Sequence, residues 1–408
     1  MDYWHLHMPT INSEIPLSTF PPELNKQLSM ESSRKHILHI ITSTDPGGAE
    51  TTLFHFLAHS QSEYFSHQVI SLAPLGRVGE EIARIGIPIS SMNFSGRMGG
   101  FFSFPRLAAA IRSSSACLIH CWMYHANLLG GFAAALAGIP SLWHIHHYNL
   151  DASLMKKSTI LVAQLGARFS SRLPQKIIYC ADSAQSEHQQ AGYDSSNGVF
   201  IPNGFDTVKF SPNRESGHKA RRNFSIPPGS DVVGHVGRFH PTKDHLTFLR
   251  AARIVREERP KTLFILCGSQ VEKSNQQLEA WIKELDLLEN VQLIGQQPEM
   301  ASIYNMMDIL ASSSRSEAFP LVIGEAMSCG IPCAATGTGD SALLIGDTSL
   351  IAPPADPEAL AGAILRLLQD KKLRRSIGES ARKRIQNHFS INVMTASIET
   401  LYGEILTY

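Results

Sequence analysis

Cysteine is scarce in this chain: six in 408 residues, with no Cys-x2-Cys pair among them. Neither a disulfide framework nor a zinc ribbon organises such a sequence, and the usage suits a reducing, cytoplasmic compartment. Cys117 and Cys121 flank His120, but no further ligand completes a metal site. Net charge is also lacking, 36 Lys and Arg against 36 Asp and Glu, which removes the electrostatic case for nucleic acid as a partner. No run reaches the ~18 apolar residues of a membrane span. The nearest, 128–142, is rich in Gly and Ala, is broken by Pro140 and reads as a buried helix end. Residues 1–35 lack the apolar core of a secretory leader, and their polar, proline-spotted composition predicts a loosely ordered extension. A Gly-x-Gly-x-x-Gly fingerprint is missing too, so a bound NAD has no support.

What is present is alternation. The length suits about two domains. Apolar strand-like runs at 35–41, 67–72, 117–121, 141–145 and 176–180 alternate with helical stretches, as does a second series at 232–236, 262–267, 291–294 and 308–311. Strand, helix, strand in succession predicts parallel sheets built from βαβ units. The run 200–204 reads as a strand with a turn after it. The polar, proline-bearing stretch 206–229 reads as a domain linker. Amphipathic helices are expected at 244–257, 357–368, 373–388 and 392–405, the last crossing back to the first domain. The expectation is α/β, with two domains facing a cleft.

The segment 314–326, Ser-Arg-Ser-Glu-Ala-Phe-Pro-Leu-Val-Ile-Gly-Glu-Ala, follows the apolar strand at 307–312. Pro320 suits the first turn of a helix, and Gly330, Ile331 and Pro332 stop it. Glu317 therefore lies in a loop past a strand's carboxyl end, and Glu325 on the helix that follows. Ligands of open α/β sheets bind there, and the free amides of a helix start attract phosphate. A carboxylate repels phosphate but accepts from sugar hydroxyls. Two carboxylates beside a phosphate-ready helix point to a ligand with hydroxyls at both ends and phosphate between, which describes a nucleotide-sugar.

Three further segments sit after strands. In Gly237-Arg238-Phe239-His240-Pro241-Thr242-Lys243-Asp244, Arg238 offers a planar fork and Lys243 a point charge. Fixed cations there stabilise charge that develops on a departing diphosphate, although two exposed basic residues in a loop are also ordinary. Asp244 suits a helix N-cap. Gly47 and Gly48 permit close backbone approach to a ligand, or form a plain strand-to-helix turn. His125, in 120–130, opens a helix after a strand; a lone histidine is more often structural. His144, His146 and His147 form a dense group that fits the acceptor side and lacks the partners of a zinc site.

Together with 339–344, 346–348 and 352–357, these segments resemble, over about residues 36–405, the retaining glycosyltransferases of family 4, the group 1 glycosyltransferases of bacterial surface-polysaccharide type. The motifs are specific for the family and not for the sugar. The resemblance implies the GT-B fold, two Rossmann-like domains facing an interdomain cleft. An acceptor-side domain would span 36–205, joined by a C-terminal helix at about 390–408, and a nucleotide-sugar domain would span 206–389. It implies that Arg238 and Lys243 bind the diphosphate. Glu317 and the backbone of the donor-binding run Ala318, Phe319, Pro320, Leu321 and Val322 hold the sugar and phosphates, and Glu325 holds the ribose. Gly47 and Gly48 approach the donor across the cleft, and His125 reaches its sugar. There is no Asp-x-Asp, the motif typical of metal-dependent transferases of the other major fold, so no metal and no cofactor are implied. The implied partners are a nucleoside diphosphate sugar and a saccharide or lipid-linked saccharide acceptor, with no nucleic acid, at the inner face of the cytoplasmic membrane. The basic amphipathic stretch 154–172 is either a membrane contact or an ordinary surface helix. Two other readings share the architecture. A sugar-nucleotide epimerase would need no acceptor. A non-catalytic nucleotide-sugar-binding protein would have lost some of Arg238, Lys243, Glu317 and Glu325, all of which are present.

Overall fold

The computed structural model describes residues 34–60, 63–94, 99–148 and 155–407. All but the last two residues of the 1–35 extension lie outside the described residues. Two sheets carry the fold, every pairing in them parallel. The first has seven strands in the order β3-β2-β1-β4-β5-β6-β7: β1 (Lys35–Ile41), β2 (Phe65–Ser71), β3 (Ile89–Ser91), β4 (Leu118–Trp122), β5 (Ser141–Ile145), β6 (Pro174–Tyr179) and β7 (Gly198–Phe200). The second has six, β10-β9-β8-β11-β12-β13: β8 (Val232–Val236), β9 (Leu263–Cys267), β10 (Val291–Leu293), β11 (Ile309–Ser312), β12 (Cys333–Thr336) and β13 (Ile351–Ala352). In each, the strand order reverses once, between β1 and β4 and between β8 and β11, the doubly wound pattern that leaves a crevice at the carboxyl ends.

Central strands such as β4 and β5 are buried at every residue, as helices on both faces of a parallel sheet require. On the first sheet, α1 (Gly48–His59), α2 (Arg77–Arg84) and the last helix α15 (Ile391–Leu406) cover one face. The other carries α3 (Gly99–Ser113), α4 (Tyr124–Ala137) and α5 (Lys157–Phe169), with α6 (Asp182–Gln190) following β6. The 128–142 run thus holds most of α4, which ends at Ala137, and the start of β5.

The stretch 206–229 is not a bare linker. It contains α7 (Arg214–Asn223), capped by Asn213, whose side chain accepts from the Ser216 amide. The helix packs on α10 (Met300–Met306) so closely that a Cβ at Gly217 would meet the Asn305 carbonyl. Arg221 fastens it to the Met306 carbonyl and to Asp308, each at 2.8 Å. Only Gly217 and Ala220 are buried on α7, so no apolar stripe announced it. The strand expected at 200–204 ends at Phe200, and the chain crosses to the second sheet beyond it. It crosses back at 389–391. The two crossings pair side by side, with the Phe205 amide donating to the Phe389 carbonyl at 2.8 Å and the Ile391 amide to the Phe205 carbonyl at 2.9 Å.

One face of the first sheet holds an ordered chain of polar groups. The Trp122 indole N–H donates to His39 Nδ1 at 3.2 Å. That leaves His39 Nε2 to donate to His67 Nδ1 at 3.0 Å, and His67 Nε2 to donate to the Ser60 hydroxyl at 2.8 Å. Ser60 in turn donates to the Glu399 carboxylate on α15 at 2.6 Å. Each imidazole has a role only when neutral: a second proton on His39 Nδ1 would face the indole N–H. Beside this chain His120 meets the Tyr402 hydroxyl at 2.6 Å, His146 stacks on Trp122 and His144 packs tilted against it. Burial and mutual repulsion push His39, His120 and His144 well below the ordinary histidine value, with His67 at about 4 and His146 at about 3.

Through these histidines the folded chain binds fewer protons than the unfolded chain below pH ~6.5, and their contribution to stability falls as pH falls. Each such histidine costs roughly 1.4 kcal/mol for each pH unit between about 6.5 and its depressed value. Urea unfolding is expected to give a markedly lower stability at pH 5.5 than at 7.5. Equal stabilities at the two pH values would contradict neutral imidazoles in this face.

Candidate active site

The sequence-predicted residues collect at the two places where strand order reverses. Gly47 and Gly48 follow β1 and start α1, while His125 follows β4 as the second residue of α4. Arg238 and Lys243 follow β8, and Glu317 follows β11 ahead of α11 (Leu321–Ser328).

In the second domain two loops are laced together. The Arg315 amide donates to the Thr242 carbonyl at 2.7 Å, and the Ser313 hydroxyl to the carbonyls of Lys243 and Asp244 at 3.0 and 2.9 Å. Asp244 caps α8 (His245–Glu258) through the Thr247 amide, as its type predicts, and its buried carboxylate also takes the Arg315 guanidinium at 2.6 Å. Lys243 pairs with Glu317, which accepts from the Ser314 hydroxyl at 2.8 Å as well. Their side chains are 20% and 15% exposed, enough shielding to strengthen the pair and enough opening for a ligand to reach it. Arg238 is exposed at the point where Gly237 and Gly268 come so close that a Cβ on Gly268 would meet the Gly237 carbonyl.

Pro320 is the N-cap of α11 rather than its first helical residue. The Leu321 and Val322 amides have no protein partner among the described residues and point a positive helix end at the loop. Phe319 is buried, stacked at 5.8 Å on Phe205 and packed at 5.7 Å against Phe389. Only its backbone is available to a ligand. Ala318 spends its carbonyl on the Asp340 amide at 2.9 Å. One turn into α11, Glu325 accepts from the Tyr304 hydroxyl at 2.6 Å. Desolvation pushes its carboxyl up to about 7, against the opposing pull of Tyr304 and Lys209.

On the first domain, Gly47 is extended and a Cβ at Gly48 would meet nothing, so open space faces the start of α1. His125 is partly buried, makes no side-chain hydrogen bond among the described residues, and is lowered by burial. It is therefore a neutral donor and acceptor rather than a cation. Met123, just before it, holds φ 75° and ψ 160°, a strained region for a side-chain-bearing residue. His144 does not line an acceptor surface: it is buried among His120, Trp122 and His146. His147 stacks on Tyr124 at 5.4 Å. Among the described residues no group of three or more His, Cys, Asp or Glu could hold a metal ion. Tyr304 and Arg315, which fix Glu325 and Asp244, carry no sequence signal of their own, since each acts across a tertiary contact, while Ser314 fixes Glu317 from three residues before it.

Two doubly wound domains whose ligand-facing edges carry paired cations, carboxylates and free helix amides define a nucleotide-sugar-dependent transferase. Residues 46–209 match Glycosyltransferase Family 4 and residues 218–384 match Glycosyl transferases group 1. The chain belongs to the family 4, group 1 glycosyltransferases. It is 27% identical over 295 residues, 71% of this chain and 76% of the relative, to the Escherichia coli UDP-Gal:alpha-D-GlcNAc-diphosphoundecaprenol alpha-1,3-galactosyltransferase. It is 28% identical over 258 residues, 62% of this chain and 65% of the relative, to the Staphylococcus aureus capsular polysaccharide biosynthesis glycosyltransferase CapM. The fold is that of the Anabaena HepE protein solved with UDP, with a TM-score of 0.80 and 23% identity over 90% of this chain and 99% of that one.

Gly324 tests the packing under the site. It lies in the middle of α11, where a Cβ would enter the Phe205 ring. Helix propensity alone favours Gly324→Ala by about 1 kcal/mol, whereas overpacking costs about 1–3 kcal/mol. The expected outcome in denaturant unfolding is a net loss of stability. A more stable variant would mean that Phe205 is not pressed against this helix.

Proposed function

We propose that the chain transfers a sugar, with retention, from a nucleoside diphosphate sugar to a hydroxyl of a lipid-linked saccharide at the inner face of the cytoplasmic membrane. The observation that carries this is the meeting of Lys243 and Glu317 beside the unpartnered amides of α11, with Arg238 at the next strand end. The family and the Escherichia coli relative, whose name gives UDP-Gal as donor and a diphosphoundecaprenol-linked acceptor, support the same chemistry. A uridine diphosphate donor is favoured by that name and by the UDP-bound fold neighbour.

In this reading 206–389 is the donor domain and 36–205, with α15, the acceptor side. Glu325 accepts from the ribose hydroxyls, and the α11 amides hold the phosphates. Glu317 orients the sugar while keeping Lys243 charged and in place. Lys243 and Arg238 stabilise the negative charge that grows on the diphosphate as the bond to the anomeric carbon breaks. Glu317 is already engaged by Lys243 and Ser314, which argues against its serving as a free nucleophile in a double displacement. His125 and the Gly47–Gly48 turn face the sugar from the first domain. No cofactor is assigned to any step.

Lys243→Ala and Arg238→Ala should each lower single-turnover transfer by about 10²–10³ with nucleotide affinity little changed, because they act on charge developed in the transition state. The double variant should lose less than the product, since both act on one diphosphate. The assay is run in EDTA, which should leave the wild-type rate intact. Near-wild-type rates in both single variants would withdraw the catalytic assignment.

The membrane side rests on charge. Residues 82–181 hold nine Lys and Arg and one acidic residue, Asp151, within a chain of zero net charge. On α5, Leu161 and Leu165 are 57% and 40% exposed, flanked by exposed Lys156, Lys157, Arg168 and Arg172. Leu136 on the adjoining α4 is 62% exposed. No helix among the described residues is long and apolar enough to cross a membrane, so contact would be peripheral, apolar side chains sinking between basic ones. The protein should bind phosphatidylglycerol vesicles in a salt-sensitive way. Reversing Arg168 and Arg172 to Glu should cut that binding roughly tenfold or more, at ~1 kcal/mol for each basic residue lost. Equal binding to phosphatidylcholine vesicles, or no loss on charge reversal, would remove this face as the contact.

A further inference from the structure

Asp340 stands on the loop between β12 and α12 (Ser341–Ile345), in the second domain, and is 4% exposed. A residue at the start of a helix normally caps that helix, yet the Asp340 side chain makes no such bond. Its two carboxylate oxygens cross to the first domain. One accepts from the Asp182 amide at 2.7 Å and the other from the Ser183 amide at 3.0 Å. These are the first two residues of α6, whose own N-cap, Ala181, offers no side-chain acceptor. A buried carboxylate on two free amides at a positive helix end is a strong, charge-assisted contact.

The other side of this loop is joined to the donor site. The Asp340 amide donates to the Ala318 carbonyl, and Gly339, at φ 52°, lies so close that a Cβ would collide with the carbonyls of Glu317 and Ala318. One short segment therefore touches the sugar-orienting loop of one domain and caps a helix of the other. We propose that Asp340 is a positioning residue that latches the cleft shut, setting the Glu317 loop at a fixed distance from the first-domain groups that face it. Its catalytic consequence rests on the glycosyl-transfer reading above; the latch does not.

Two substitutions weaken the contact from opposite sides. Asp340→Ala deletes the acceptor. Asp182→Pro deletes a donor and keeps the helix, because proline is tolerated in a first turn and Ala181 already has the extended backbone it demands. Asp182→Ala, which retains the amide, is the reference. X-ray scattering of the free protein should show a larger radius of gyration for Asp340→Ala and Asp182→Pro than for the reference, with native circular dichroism. Transfer should fall about 10²-fold, as for misplaced reacting groups, while UDP affinity by calorimetry stays within about twofold because the nucleotide contacts lie in one domain. The double variant should be no worse than Asp340→Ala alone, since that substitution already removes both hydrogen bonds. Unchanged scattering and rate in both variants, or additive losses, would overturn the latch. If the wild type transfers no sugar but both variants open, the latch stands and the transfer reading falls.

Discussion

Phe319 is held between Phe205 and Phe389, and those two rings come from the two places where the chain passes between the sheets. The loop that presents Glu317 and the start of α11 is therefore packed onto the crossings themselves. Phe205 presses on α11 at Gly324, the position where the helix surface is open to the backbone. Close-packed interiors move between discrete arrangements rather than deforming smoothly. Any change in the angle between the domains must then be carried through this stack, which makes the loop bearing Glu317 part of the pivot and not a passenger on one domain.

Charge is distributed against this frame with a clear division. Inside the first sheet the ionisable groups are histidines in an ordered donor chain that works only when each ring is neutral. At the carboxyl edges the groups are ions, and most are matched within their own domain: Lys243 by Glu317, Arg315 by Asp244. Matching lowers the cost of holding a partly shielded ion. Arg238, the exposed member, keeps its guanidinium in solvent.

Much of this was legible in the residues. Strands 141–145 and 232–236 are legible to their ends because both faces are buried and the runs are mostly apolar. The two Glu, the two cations and the glycine turn were placed after strands by the same logic. The helix at 214–223 escaped because it buries a glycine and an alanine, leaving no stripe for periodicity to detect. Strands β3 and β13, three and two residues long, are shorter than any alternating pattern. His144 looked like an acceptor-side group because a histidine cluster after a strand reads as a site. Its burial follows from Trp122 and His120 on the neighbouring strand, a pairing that sequence spacing does not encode. Asp340 lay in a recognised segment, but the amides it caps are 158 residues away.

Backbone strain falls at the same edges. Met123 and Asp244, at φ 75° and 46°, each immediately precede a helix that starts from a central strand. Such conformations persist only where surroundings over-determine them. At Met123 the amide is tied to the His144 carbonyl at 3.0 Å and the carbonyl to the Asn127 amide at 2.8 Å. At Asp244 the carboxylate binds Thr247 and Arg315. A glycine at 244 would relieve the strain and lose those contacts, so the side chain explains its own cost. At Met123 nothing in the structure explains why a glycine does not stand there. At Met123 the kink turns the chain directly from β4 into α4, whereas at Asp244 it joins the loop after β8 to α8. Both positions thus hold their strain at the carboxyl edge of a central strand's connection, where the structure spends side-chain and backbone bonds to keep it.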